Sequence, residues 1–543
     1  MENYIDYPGC FADFFRGCFS SLQPYCWPLW FAGSFVWMAG YFLLVKKKVN
    51  DVVFFLAVLV GMLLFRLPSF MQYSYNPDES EFLSCINLLS NQLSYWKHAD
   101  THTSGPLDSL PFVWFARAGI PMNYFSFRLI NAVFIQFPTI IVLYKLFRFL
   151  FLPKDSRIIL FPFVLFYVFL STNELIMYTS EQIPNLLLLI SIYCVADYCV
   201  NSNKIVSLLA AALLVGMLPL AKFQYSILAL FMLVVVLFLL FQQKKYALLL
   251  VVLFAASLPV LITIGITLHN GSFSDACISY VKMNIVVSGA GLGFGVPFPE
   301  SLLNGYHLLK ANIEFKVLVI GLFILGLVQL FSNPRKLFAY PTELLLLTIF
   351  LVVSYFTIIK TGNLFYHYLY ILFTGLAAIV AYFYFLNKDS YTYRIFYFLL
   401  FVLLFGYSNY QNSYFIDDVF KKSGNLYTPV SVYLNSLQKP DNKMAVWGWN
   451  TRLYVETESF QAVRDPNTFN QLFPSDYREY FIQRYIADME RNTPYLFVDA
   501  VPGFYFRDET FRHENHPTMK AYIQSHYRFL KEIDQTRIYT RAK

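Results

Sequence analysis

Four polar clusters interrupt a chain that is otherwise strongly apolar, and each brings together side chains that can move protons or hold charge. The first is Asn76-Pro77-Asp78-Glu79-Ser80-Glu81. Adjacent carboxylates can accept a proton from a hydroxyl or hold a cation. The same residues also suit a helix start: Asn76 as N-cap, Pro77 in the first helical position and Glu79 in capping-box geometry. The second cluster runs from Lys97 to Asp108 and contains His98, Asp100 and His102 before a Ser-Gly-Pro turn. His98 and His102, four apart, could ligate a metal together only on a helix, and Gly105-Pro106 argues that the chain turns there. The third is Ser180-Glu181, with Lys222-Phe223-Gln224 one hairpin later. A lysine between apolar runs costs about 2.5–3.5 kcal/mol at mid-membrane, so Lys222 either snorkels or meets an anion. The fourth is Lys360-Thr361-Gly362-Asn363-Leu364-Phe365-Tyr366-His367, where two cationic side chains flank a span start whose free N–H groups suit an anion.

The elements that must carry these clusters follow from composition. Of 543 residues, 57% are hydrophobic and only 14% charged, with 20% aromatic, against roughly 25% charged in a soluble domain. A soluble enzyme, a disordered scaffold and a secreted disulfide domain are excluded. A span needs about 20 apolar residues, which places about twelve spans near 27–45, 51–68, 123–147, 158–172, 183–200, 205–221, 225–241, 247–267, 316–332, 341–358, 366–386 and 395–410. Residues 1–26 either span or lie on the membrane, and they show no cleavable signal peptide.

Basic residues collect in alternate short loops: Lys46-Lys47-Lys48, Arg148 with Lys154 and Arg157, Lys204, Lys244-Lys245, Arg335-Lys336, and Lys388 with Arg394. The positive-inside rule makes those loops cytoplasmic. Segments 69–122, 173–182, 222–224, 268–315 and 359–365, and the tail from 411, are then outside, and so are all four clusters. No charge run suits nucleic acid. Seven cysteines show no CxxC pair or zinc spacing. A disulfide among Cys10, Cys18 and Cys26 is open.

The chain divides into a transmembrane part, 1–410, and an extracytoplasmic part, 411–543, which holds 33 of the 75 charged residues. In the latter, β-like runs at Met444–Trp449, Tyr495–Asp499 and Arg537–Thr540 alternate with helical stretches at Asp476–Arg491 and Thr518–Ser525, predicting a small α/β unit. After the first cluster, Phe82, Ile86, Leu89, Leu93 and Trp96 fall at 4-3-4-3 spacing, predicting an interfacial helix with its apolar face in lipid.

In order along one side of the membrane, Pro77-Asp78-Glu79, the helix after it, Gly105-Pro106-Leu107, Ser180-Glu181, Lys222-Phe223-Gln224 and His367-Tyr368-Leu369 resemble the C-type glycosyltransferase superfamily. More narrowly, they resemble its lipopolysaccharide-core galacturonosyltransferase and protein O-mannosyltransferase-like group. Gly105 stands where relatives often have proline. The resemblance implies a polytopic α-helical membrane enzyme of the bacterial inner membrane with a small C-terminal α/β domain on the periplasmic side. It further implies transfer of a sugar from a polyprenyl-phosphate donor to a glycan, lipid or protein acceptor, with inversion. Asp78 is the implied base, with Glu79 beside it. Lys222, Gln224, Lys360 and His367 would hold the donor phosphate. Glu181, Ser180, Asp100, His102 and Tyr366 would line the acceptor or support the site. Some relatives use a divalent cation (Mg, Mn, Ca or Zn), which here would fall to Asp78 and Glu181. Two alternatives stand: an oligosaccharyltransferase or glycan ligase using a polyprenyl-diphosphate donor, whose larger site the Gly-rich segment Ser288–Gly295 could shape, and a transporter or flippase.

Overall fold

The computed structural model describes residues 26–47, 49–72, 74–201, 204–290, 297–360, 365–412, 427–437, 441–503 and 506–542. Cys10, Cys18, Lys48, Thr361, Gly362, Asn363, Leu364 and residues 291–295 of the Gly-rich segment lie outside them.

All twelve expected spans are helical. Ten helices among the described residues are long and apolar enough to cross a membrane, from Trp27–Lys46 to Tyr391–Gln411. The two that fall short are Ile205–Ala221, with 17 residues, and Pro153–Val168, with 16. The second carries Lys154, Asp155 and Arg157 in its first turns. The chain is a multi-pass membrane protein. It divides into two compact units: one made of residues 1–72, 128–260 and 287–423, the other of 73–127, 261–286 and 424–543.

In the first unit, polar contacts between helix ends fall into two sets. Arg157 pairs with Asp51 at 2.6 Å, Arg394 with Asp155 at 3.2 Å, and Lys245 Nζ meets the Tyr198 hydroxyl at 3.0 Å. These ends are the ones the charge pattern assigns to the basic side. At the opposite ends of the same helices, Glu314 accepts hydrogen bonds from the Ser171 and Thr172 N–H groups, both at 2.8 Å. Arg128, buried in the span Tyr124–Leu150, donates to the carbonyls of Ser69 at 3.1 Å and Phe70 at 3.3 Å. It thereby satisfies the last turn of Asp51–Phe70, where helix carbonyls lack partners.

The second unit contains a five-stranded mixed sheet. Its strands are β1 (Lys443–Trp447), β2 (Phe460–Gln461), β3 (Leu496–Asp499), β4 (Tyr527–Ile533) and β5 (Thr536–Arg541), in the order β2-β1-β3-β5-β4. β1 pairs in parallel with β2 and β3, while β5 pairs antiparallel with β3 and β4. The three expected strands and both helices, Arg478–Asn492 and Pro517–His526, are present. β2 and β4 are additions: β2 is only two residues long, and β4 is mostly exposed, so neither carries a buried alternating pattern. Met444, Val446, Leu496, Val498 and Ile538 form the core with Leu434 and Leu453.

Helix Pro77–Asn91 starts as its sequence dictates. The Asn76 side chain accepts from the Asp78 N–H at 3.0 Å, with Pro77 in the first turn. Glu79 reaches back to the Tyr75 N–H at 3.4 Å, one residue beyond the expected capping-box partner. The expected lipid-facing stripe is corrected. Phe82, Ile86 and Leu89 are buried in protein, and Trp96 lies beyond the helix in a turn. The helix is covered by the C-terminal part: Ser84 donates to Gln461 Oε1 at 2.5 Å, and Thr451 donates to the Pro77 carbonyl at 2.8 Å. A 3.6-residue stripe declares that one face is buried, but not whether lipid or protein buries it.

Candidate functional site

In the first unit, Glu181 ends a turn and heads the span Gln182–Val200, while Lys222 leaves Ile205–Ala221 in extended conformation. Lys222 Nζ lies 2.6 Å from Glu181 Oε1 and donates to the Ser180 hydroxyl, over the Tyr368 ring at 5.2 Å. Lys222 is 5% exposed and Glu181 is fully buried, yet Glu181 Oε2 accepts no hydrogen bond among the described residues. Burial alone would raise the Glu181 carboxyl, but Lys222, then His367, outweigh it and hold the carboxyl below its usual range. His367 Nδ1 is 2.9 Å from Glu174 Oε2, and the His367 N–H donates to the same oxygen at 3.3 Å. Burial is likewise overcome at Glu174, whose carboxyl is lowered by His367.

Four expected residues, Ser180, Glu181, Lys222 and His367, thus converge around a carboxylate with a spare oxygen. Gln224 instead donates to the Thr357 carbonyl at 2.8 Å, tying down the end of Pro341–Ile359. Lys360 is exposed, with no ion partner among the described residues, and Tyr366 is half-buried.

Asp78, Glu79, Asp100 and His102 belong to the second unit. Asp78 is half-buried in the first helical turn and Glu79 is fully buried. Three residues on, burial first and the Asp78 charge second push the Glu81 carboxyl well above its usual range, although Asn467 donates to it at 2.6 Å.

Asp100 and His102 meet Asp465, and the three offer ligand atoms within 4.8 Å of one another. Two carboxylates and an imidazole suit a small dication. Arg484, however, already donates to both carboxylates, at 3.0 Å to Asp100 and in a short contact to Asp465. Asp100 also accepts from the Ser279 hydroxyl and the His102 N–H, and Asp465 from Gln471 at 2.8 Å. Burial works against charge on Arg484, but Asp465, Asp100 and Asp275 more than offset it, so the guanidinium keeps its proton. A dication fits these donors only if Arg484 is displaced. Asp78 and Glu181, the expected metal pair, fall in different units.

Several partners escape a reading of the sequence. Glu174 lies in a short polar stretch before Ser180 and carries no pattern. Asp465 and Arg484 are ordinary charged residues of a soluble-type segment. Arg128 did carry a signal, as an arginine inside an apolar span.

No family model and no curated protein matches the sequence. Solved structures do match. ArnT from Cupriavidus metallidurans, bound to undecaprenyl phosphate, aligns over 90% of this chain and 97% of its own, at 12% identity and TM-score 0.54. The Archaeoglobus fulgidus oligosaccharyltransferase, in complex with Zn and sulfate, aligns over 90% and 73%, at 12% identity and TM-score 0.44. AglB from the same organism, in complex with an inhibitory peptide and a dolichol-phosphate, aligns over 92% and 75%, at 11% identity and TM-score 0.42. With ArnT matched along nearly its whole length, the chain shares the fold of ArnT.

Proposed function

We propose that the protein transfers a sugar from a polyprenyl-phosphate donor to an acceptor hydroxyl at the outer face of a bacterial inner membrane. The observation that carries this is the buried Lys222, held beside Glu181 and over Tyr368 at the ends of apolar helices. A buried ammonium at such a place suits an anionic head group on an apolar tail, and the similar ArnT was crystallised with undecaprenyl phosphate. The basic loops, by the positive-inside rule, give the orientation.

In the proposed reaction the acceptor oxygen attacks the anomeric carbon from the side opposite the phosphate. The bond from that carbon to the phosphate oxygen breaks, and polyprenyl phosphate leaves with the electron pair, so the anomeric centre inverts. Asp78 takes the acceptor proton, with Glu79 beside it orienting the hydroxyl. Lys222 and His367 neutralise the charge gathering on the leaving phosphate, and Glu181 keeps Lys222 in place. Lys360 is an exposed cation available to the same phosphate. Asp100 and His102 serve as support, since their contacts are to Arg484, Asn470 and Ser279. A divalent cation, if used, would supply Lewis acidity at the phosphate; the steps above do not depend on it.

The test is Asp78→Asn in membranes supplied with labelled polyprenyl-phosphate sugar. Transfer is expected to fall about 10²–10⁴-fold while the protein remains folded. Full activity in that variant rejects Asp78 as the base.

A further inference from the structure

The second unit holds a cavity of about 380 Å³ that takes Lys97 and His98 from the second polar cluster and none of the residues given a role above. Small-molecule sites start at roughly this size. Three pieces of chain form it: the end of helix Pro77–Asn91 with the turn after it, the edge strand β2 with the start of β1, and the last turn of Arg478–Asn492.

The walls carry an excess of positive charge at Lys97, Lys443 and Arg491, Arg464 being paired both with Asp488 and, through Nη1 at 2.8 Å, with Asp275. Lys97, Lys443, Arg464 and Arg491 line the cavity against a single carboxylate, Asp488. Arg464 takes that carboxylate in a bidentate pair, Nε to Oδ2 at 2.8 Å and Nη2 to Oδ1 at 2.9 Å. Arg491, half-exposed, adds only a 3.3 Å contact to it. Lys97 and Lys443 are exposed and have no ion partner among the described residues. The walls are also built rather than loose. Arg464 Nη1 donates to the Trp96 carbonyl at 3.2 Å, the Trp96 N–H to the Ala99 carbonyl at 2.8 Å, and the His98 N–H to the Ser94 carbonyl at 3.0 Å. Register places Lys443 directly opposite Phe460 on the sheet edge. Burial first, then Lys97, Arg464 and Arg491, hold the His98 imidazole below its usual range, which leaves it a neutral hydrogen-bonding group amid cations.

Alongside the charges lie the side-chain amides of Asn91, Gln92 and Asn492 and the half-buried ring of Phe460. Amides match hydroxyl groups in both donor and acceptor roles, and a ring face suits the C–H face of a pyranose. Cations and amides beside an apolar wall of Leu88, Phe460, Ala462 and Val463 suit a polyhydroxylated anion with a C–H face better than a bare phosphate.

We propose that this cavity binds an anionic sugar, one bearing a carboxylate or a phosphate, as the recognition element of the acceptor. The binding claim stands on the cavity alone; the acceptor role rests on the glycosyltransferase function proposed above.

The experiment is calorimetric titration of the full chain in detergent, without donor, using glucuronate, glucose 6-phosphate, glucose and inorganic phosphate. Both anionic sugars are expected to bind, more weakly at high salt, with glucose and inorganic phosphate at least about tenfold weaker. The double variant Lys97→Gln/Lys443→Gln, altered only at exposed positions, should melt like the parent and bind the anionic sugars about tenfold less tightly. Equal binding of glucose overturns the anion claim, and equal binding of inorganic phosphate overturns the sugar claim. Unchanged binding in the double variant overturns the site. The acceptor role is read separately, in membranes: glucose 6-phosphate should inhibit transfer by the parent and not by the double variant. No inhibition of an active parent removes the acceptor role while leaving the site. A parent that transfers nothing from any polyprenyl-phosphate sugar rejects the glycosyltransferase function itself, with the titration unaffected.

Discussion

Each unit of this protein buries carboxylates beside a cation, but the two arrangements differ in what they leave over. In the second unit Asp100 and Asp465 share Arg484, and their oxygens are filled by Ser279, Gln471 and a backbone N–H. In the first, Glu181 pairs with Lys222, and among the described residues its Oε2 accepts no hydrogen bond, although it is fully buried. A buried polar atom without a partner costs about 1–3 kcal/mol. That cost persists where the group serves something besides folding. The planar fork of Arg484 suits a permanent lock, whereas the single ammonium of Lys222 can exchange one anionic partner for another.

The contrast breaks most visibly at the lock. Arg484→Met leaves two buried carboxylates facing each other, and should cost about 3–5 kcal/mol, seen as a large fall in melting temperature or failure to accumulate. An unchanged melting temperature would show that the second cluster is not holding its unit together. At the open cluster, Glu181→Gln keeps shape and removes charge. Stability should fall by only about 1–3 kcal/mol, while transfer falls about 10²–10³-fold. A variant that loses stability as Arg484→Met does, yet retains turnover, would make the open cluster a second lock.

Acid titration sharpens the comparison further. The Glu181 carboxyl is held below its unfolded value, so the stability its ion pair adds is complete above about pH 4.3 and is lost as pH falls through the lower folded value. Glu81 has the opposite sign. Burial and Asp78 raise it, so its contribution is complete below about pH 4.3 and is lost as pH rises towards its folded value. Unfolding profiles should therefore show a shallower acid limb in Glu181→Gln, and a small gain that grows from acid to neutral pH in Glu81→Gln. Parallel profiles for parent and both variants would remove the distinction.

Much of the fold was legible. Apolar runs marked every span-like helix, Asn76-Pro77 marked the start of the helix that carries Asp78, and the residues at Glu181, Lys222 and His367 stood out because charge amid apolar sequence is costly. The helix Arg478–Asn492 was visible through Tyr480, Ile482, Tyr485, Ile486 and Met489, of which all but the half-buried Tyr480 are buried. What escaped was pairing over distance. Asp100 and Arg484 are 384 positions apart, so no local spacing relates them. The resemblance made Gln224 a phosphate ligand, but gave no sign that its amide also donates to the Thr357 carbonyl. β2 is too short for any periodicity, although it lines the cationic cavity.

The sequence by itself determined that the chain spans a membrane many times, where its helices begin, and which ionisable residues demand an explanation. These are consequences of local chemistry: solvation cost, capping and apolar period. Tertiary structure alone decided what each charge meets. It decided that Glu174 pairs with His367, that Arg484 bridges Asp100 and Asp465, and that protein covers Phe82, Ile86 and Leu89. The physical reason is that a side chain's own preference is for burial or for opposite charge, and many partners satisfy either; only the packed chain selects one.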